Sequence, residues 1–138
     1  MATGPNYILD KGFLAEGGSV AYTEGMLVVM GTAEQSVAKA TSASTLLPLG
    51  VCQEAVDAVK VATGKVFVGV RILGIARVKS GAAVAKGDRI TNDTSARGVP
   101  VTRAITTAAP QPCFGIAFNA VDAADKYFDM LLTPGGTY

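Results

Sequence analysis

From Lys65 to Val78 the chain is apolar almost without a break. The even positions are Val66, Val68, Val70, Ile72, Gly74, Ala76 and Val78, and the odd positions mix Lys65, Phe67, Gly69, Arg71, Leu73, Ile75 and Arg77. A period of two with branched residues on one side predicts a strand whose even face is buried and whose odd face is half covered. Gly69 and Gly74 inside the run predict bends or bulges in a curved sheet. The run stops at Ser80-Gly81 and the chain turns again at Lys86-Gly87-Asp88, both turn compositions.

Similar short runs precede it. Gly25 to Met30 predicts a strand, Val37 to Ala40 a short one, and Leu49 to Ala58 another, with Thr41 to Thr45 as a small polar loop. The same order then returns. Lys86 to Ile90 answers Glu24 to Val28, Val101 to Ala104 answers Val37 to Ala40, and Phe114 to Ala123 answers Leu49 to Ala58. The last match shares Gly-Val/Ile and, after three variable residues, Ala-Val-Asp-Ala. Lys126 to Thr133 answers the long strand. An offset of about sixty-odd residues occurring twice is too long and too few for a solenoid. It predicts an all-β fold, a compact β-barrel, β-tulip-like or sandwich domain built from two similar β units at about residues 14–75 and 77–135. The long strand then ends the first unit, and Ser80-Gly81 leads into the second. Helix is expected to be scarce, at most a turn or two within Ala38 to Leu47 and Ala120 to Tyr127.

Residues 1–13 stand apart. Gly4-Pro5-Asn6 and Asp10-Lys11-Gly12 are turn-like and bracket Tyr7-Ile8-Leu9. Three apolar residues make no core, which leaves two readings. One is a terminal strand paired within the domain. The other, sharper one is an extended N-terminal arm that orders against a partner. Residues 14–138 form the single β domain in either case.

Composition narrows the chemistry. The chain has 138 residues, 16 glycines, 17% charged residues and a net charge of +1, which fits one compact β domain with tight turns. Its Lys and Arg are scattered, so no basic face for nucleic acid is expected. No apolar run reaches a bilayer span, and the first residues lack a secretory layout, so synthesis in the cytoplasm is expected. Histidine is absent and cysteines number two, which removes most zinc sites and histidine-based catalysis. Cys52 and Cys113 each sit in an apolar segment and read as buried free thiols. Asp57 and Asp122 occupy matching places in the two units. As a pair they could do acid/base work or hold a divalent ion; otherwise each ends a strand and accepts backbone hydrogen bonds in the next turn. No glycine-rich turn has phosphate-loop spacing and no serine sits in a nucleophile elbow. The expectation is no enzyme, no catalytic residue, no cofactor and no metal.

One ordered series of motifs goes further. Gly25-x-x-Val28 is followed by Leu49-Gly50-Val51, by Gly64-Lys65 leading into Val68-x-Val70, and by Gly74-Ile75-Ala76-x-Val78. Ser80-Gly81-Ala82-Ala83-Val84-Ala85-Lys86-Gly87-Asp88 and Phe114-Gly115-Ile116-Ala117 complete it. The series resembles the tailed-phage capsid cement, or head decoration, proteins over about residues 17–133. The resemblance implies a small β-rich protein on the outer capsid surface of an expanded phage head, where it stabilises contacts between major capsid protein subunits. It implies copies of itself as a homotrimer at threefold or quasi-threefold positions. The chain departs from shorter members in its front end and in the insertion from Thr32 to Leu47. In this reading Tyr7, Ile8, Leu9 and Phe13 of the arm contact the capsid. The outer face of the long strand, Phe67, Arg71, Leu73 and Ile75, lies between copies. A mean hydropathy of +0.36 agrees with apolar surface that meets a partner. A ligand-binding β-barrel for a small molecule or carbohydrate is the alternative, and it predicts a pocket lined with aromatic side chains.

Overall fold

The structure, a computed structural model, describes residues 8–18, 20–41, 47–101 and 111–137, with side chains to residue 133. Among these are ten strands and one short helix, so the protein is all-β as the alternation predicted. The first unit contains β1 (Leu9–Ala15), β2 (Leu27–Met30), β3 (Ser36–Lys39), β4 (Pro48–Cys52), α1 (Ala58–Ala62) and β5 (Phe67–Leu73). The second contains β6 (Ile75–Lys79), β7 (Arg89–Asn92), β8 (Gly98–Pro100), β9 (Pro112–Ala117) and β10 (Tyr127–Thr137).

The strands of the first unit close into a barrel in the order β1-β3-β2-β4-β5, and those of the second form a five-stranded sheet in the order β6-β10-β9-β7-β8. All pairings but that of β1 with β3 have a counterpart. β1 lies antiparallel to β5 as β6 does to β10, and β2 lies between β3 and β4 as β7 does between β8 and β9. Isolated bridges match as well, Tyr22 with Val56 and Val84 with Val121.

Some boundaries differ from those drawn on the sequence. The long apolar run is two strands, parted at Gly74, whose φ of +103° suits glycine rather than a residue with a Cβ. Its second half therefore opens the second unit instead of ending the first. Gly98–Pro100 pairs with β7 where Val101 to Ala104 was expected, and residues 102–104 lie outside the described residues. Leu9 to Phe13 belong to β1, inside the first barrel, so the boundary at Phe13 does not separate an arm from a domain. Asp10-Lys11-Gly12 are extended, because pairing with Arg71, Val70 and Gly69 of β5 outweighs their local preference for a turn. The helix also lies elsewhere, at Ala58–Ala62, started by the Asp57 carboxylate, which accepts the Lys60 N–H at 2.8 Å.

The buried face is the even one. Val68, Val70, Ala76 and Val78 are buried, and they join Leu27, Val28, Val29, Val37 and Val51 from the first unit with Ile90, Phe114, Phe128 and Met130 from the second in one continuous core. Tyr22 is also interior, and its hydroxyl donates to the Glu16 and Val37 carbonyls, the latter at 3.0 Å. Burial, with the Cys52 and Glu16 charges, pushes that phenol up to about 12.

One barrel closes and the other does not, for a local reason. In the first unit the Leu14 N–H donates to the Gln35 carbonyl at 2.8 Å, joining β1 to the start of β3. The corresponding groups of the second unit are Lys79 N–H and Ala96 O, and the left-handed Gln35 and Ala96 (φ 53° and 60°) occupy equivalent places. Both groups bond to the first unit instead: Lys79 N–H to Gly25 O at 3.1 Å, and Ala96 O to Leu27 N–H at 2.9 Å. Residues 25–27 thus stand between β6 and β8, leaving the parallel Ser80–Gly98 bridge where β1 pairs with β3.

The hairpin turns reuse one device in mirror arrangement. Glu16, just after β1, accepts N–H groups from Thr32 (3.0 Å) and Ala33 (2.7 Å) and the Ser36 hydroxyl (2.6 Å), and so holds the β2–β3 turn. A Cβ on Gly31 would lie 2.8 Å from that carboxylate. In the second unit the carboxylate comes from the other side. Asp93, at the place of Gly31, accepts the Ser95 and Arg97 N–H groups at 2.8 and 2.9 Å, while the place of Glu16 is taken by Gly81, whose Cβ would lie 2.4 Å from the Asp93 carboxylate. Burial alone would raise the Glu16 carboxyl, but the bonds from Ser36, Thr32 and Ala33 outweigh it and hold the group below its ordinary value.

Candidate functional site

A group of exposed apolar side chains lies where β1, β5 and β6 meet. Leu9 and Leu73 face each other across the β1–β5 ladder and are each 49% exposed. Ile8 precedes Leu9 at the same exposure. Ile75 follows Leu73 after Gly74, is 43% exposed, and pairs across β6–β10 with the half-buried Leu131, which in turn faces Ile116 on β9. These residues form a row of neighbours running from the first unit into the second.

An ion pair lies at the middle of this surface. Arg71 grips Asp10 with both ends of its guanidinium, Nε to Oδ1 at 2.8 Å and Nη2 to Oδ2 at 3.1 Å, and Nη1 reaches the Ile75 carbonyl at 3.0 Å. The hydrogen bonds from Arg71, with its charge, hold the Asp10 carboxyl below the usual range. Arg71 therefore pins the β5–β6 corner to β1. Its charge is satisfied, so the surface around it asks for a neutral, apolar contact.

Several predicted contact residues meet here, though not in the grouping expected. Ile8 and Leu9, assigned to the arm, share one surface with Arg71, Leu73 and Ile75, assigned to a contact between copies. Phe67, 59% exposed, sits at the opposite end of β5 beside Leu14 and apart from the others. Phe13 turns inward and packs on the core, with the Lys11 ammonium 5.6 Å from its ring centroid. Tyr7 lies outside the described residues. The sequence reading missed Asp10 as the partner of Arg71 and Leu131 as the continuation of the row. No local signal marks either, since both depend on which strands pair.

The candidate carboxylates have local roles. Asp57 caps α1, and the exposed Asp122 bonds Lys126 four residues on, which draws its carboxyl down. Among the described residues no group of three or more Cys, Asp or Glu side chains gathers in metal-binding fashion. Cys52 and Cys113 are buried free thiols, both pushed up by that burial. A cleft of about 280 Å³ lies at the seam between the units, lined by Thr23, Met26, Lys79, Ser95, Ala96, Arg97 and Asp125. Its charges are internally matched, with Arg97 bonding Asp93 (2.9 Å) and Asp125 (3.1 Å). None of its lining residues is aromatic, so it lacks the pocket that the ligand-binding alternative predicts.

The sequence matches no family model and no curated protein. Four solved chains match in fold. One is the N base of the head fibre gp8.5 in bacteriophage phi29, with a TM-score of 0.60 and 16% identity over 92% of this chain and 95% of that one. At that identity the likeness establishes a shared fold over nearly the whole length of both chains.

Proposed function

We propose that this chain is a structural protein of a phage head that binds the outer capsid surface and stabilises contacts between major capsid protein subunits. The observation that carries the reading is the match of nearly the whole chain to the base of a phage head fibre, a protein whose own name places it on a head. The exposed apolar row at Leu9, Leu73 and Ile75 supports it, because a cement protein needs a rigid body with surface left over for neighbours. Copies of the chain, as homotrimers at threefold or quasi-threefold positions, use Arg71, Leu73 and Ile75 with Leu9 between them. Phe67 serves a separate contact, and Tyr7 and Ile8 contact the shell. Many weak sites acting together supply the avidity. The protein works in the virion after synthesis in the host bacterial cytoplasm, and it works by adhesion rather than by catalysis.

The test is cosedimentation with expanded, DNA-filled heads of the phage that encodes the chain, beside unexpanded shells. Saturable binding to expanded heads, with greater resistance of those heads to heat or chelation, is expected. Heads that leave the protein in the supernatant at every concentration would overturn the reading.

A further inference from the structure

We propose that the outer edge of β1 at Asp10 and Gly12 is a docking site for an extended segment of a different protein chain, one that sets an acidic side chain beside Lys11. The inference rests on the head-protein reading, in which that chain is the capsid shell subunit.

Among the described residues the edge is open. Ala15 N–H donates to Val66 O on the β5 side, whereas Leu14 N–H donates to Gln35 O on the β3 side. Alternation along a strand then turns the N–H and C=O groups of Gly12 and Asp10 away from β5. β3 begins opposite Leu14, so it does not reach them. Among the described residues no backbone group meets those edges. Leu9 to Gly12 are exposed, and a Cβ on Gly12 would touch nothing within 4 Å. An unpaired strand edge of this kind templates the addition of another strand.

In the second unit the matching edge belongs to β6. There Lys79 N–H, at the place of Leu14, bonds Gly25 O, and Ile75 O, at the place of Asp10, accepts from the Arg71 guanidinium. The edge of β6 thus takes donors and acceptors from outside its own sheet.

Charge selects the occupant. The Asp10 carboxylate is taken by Arg71. The Lys11 ammonium has the Phe13 ring beneath it and no carboxylate within ion-pair distance among the described residues, which leaves a cation for an incoming acid to meet. A second copy joined edge to edge by a twofold axis fits poorly. Centred on Lys11 it sets lysine against lysine, and centred on Asp10 it sets aspartate against aspartate, both unfavourable across strands. Centred on Gly12 it needs Leu14, whose N–H is already bonded.

The experiment measures head binding by cosedimentation for the full chain and for Lys11→Arg, Lys11→Glu and Gly12→Pro, with hydrogen exchange of the Asp10 and Gly12 amides in free and head-bound protein. Lys11→Arg is expected to bind like the parent and Lys11→Glu about tenfold more weakly, as a cross-strand attraction becomes a repulsion. Gly12→Pro, which removes an outward N–H, is expected to weaken binding at least about tenfold. If it fails to fold, Lys11→Glu and the exchange data decide. The two amides should exchange more slowly when bound. If the parent binds heads but both variants bind equally well and the amides exchange unchanged, the edge is not the docking site. If the parent itself does not bind heads, the head-protein reading fails and this inference with it.

Discussion

The mirrored carboxylates at the hairpin turns allow a sharp experiment. In the first unit Glu16 supports the β2–β3 turn through two backbone N–H groups and the Ser36 hydroxyl, with Gly31 leaving room. In the second unit Asp93 does this work and Gly81 leaves the room. Glu16→Gly removes four charge-assisted bonds at a half-buried site, counting the exposed one from the Thr32 hydroxyl at 3.2 Å, and the expected loss is about 2–3 kcal/mol, less than their sum because water replaces part of them. That corresponds to a fall in Tm of about 10 °C for a domain of this size. Gly31→Asp alone places a Cβ 2.2 Å from Ser36 Oγ and 2.8 Å from the Glu16 carboxylate, and crowding with like charge should cost about 2 kcal/mol. Together the substitutions supply the carboxylate from the side used in the second unit, in a turn one residue longer. Gly31 has no positive φ, so its backbone accepts aspartate, and the Ser36 hydroxyl is free to turn once Glu16 is gone. The double variant should lose about 1.5 kcal/mol, a coupling of about 3 kcal/mol. Urea unfolding of the four proteins at pH 7, with midpoints and m-values, gives the cycle. Strictly additive losses would refute the claim that the two turns are one device reached from opposite sides. The pH dependence gives a second check. The folded Glu16 carboxyl lies below its ordinary 4.5, so its contribution is present above that pH and is lost as pH falls through the folded value. Glu16→Gly should flatten the stability profile there.

Other outcomes follow from the core. Burial pushes the Tyr22 phenol up to about 12 from an ordinary 10.0, so its contribution is intact below pH 10 and disappears as pH rises toward 12; Tyr22→Phe should make alkaline unfolding shallower and cost about 1–2 kcal/mol at pH 7 by removing the hydroxyl that bonds the Glu16 and Val37 carbonyls. Phe114, fully buried in the shared core, should cost about 3–5 kcal/mol on conversion to alanine, read by urea midpoint, and a loss under about 1 kcal/mol would argue that the two units do not share a core. Cys52 and Cys113, buried and pushed up, should resist a thiol reagent in the native protein and react fully in urea; fast labelling of either at pH 8 would contradict their burial.

Much of the architecture was legible in residue order. Alternation along Lys65 to Val78 identified the buried even positions, because side chains on a strand project to opposite faces whatever the partner. The echo of Leu49 to Ala58 in Phe114 to Ala123 identified two units, and the place of Gly74 marked a bend. Local chemistry could go no further at Leu9 to Phe13. Leu-Asp-Lys-Gly-Phe is a weak strand sequence with turn residues at its centre, and only pairing with Gly69 to Leu73, far along the chain, makes it β1. The short helix escaped notice for a related reason: Ala58 to Ala62 is a single turn, defined by the Asp57 cap rather than by any apolar period.

The sequence by itself determined most of the strands, the inward face of the long run and the duplication, since these depend on each residue's own backbone and side-chain preferences. Tertiary structure alone decided which edges are bonded and which are left open. The two units have the same strand order, yet residues 25–27 enter one barrel seam while the other closes on itself through Leu14 and Gln35. Hydrogen bonds between distant strands make that difference, and no local pattern records it. It also gathered Leu9, Leu73 and Ile75 around the Arg71–Asp10 pair and, among the described residues, left the outer edge of β1 at Asp10 and Gly12 without a backbone partner. Those surfaces carry the proposed binding.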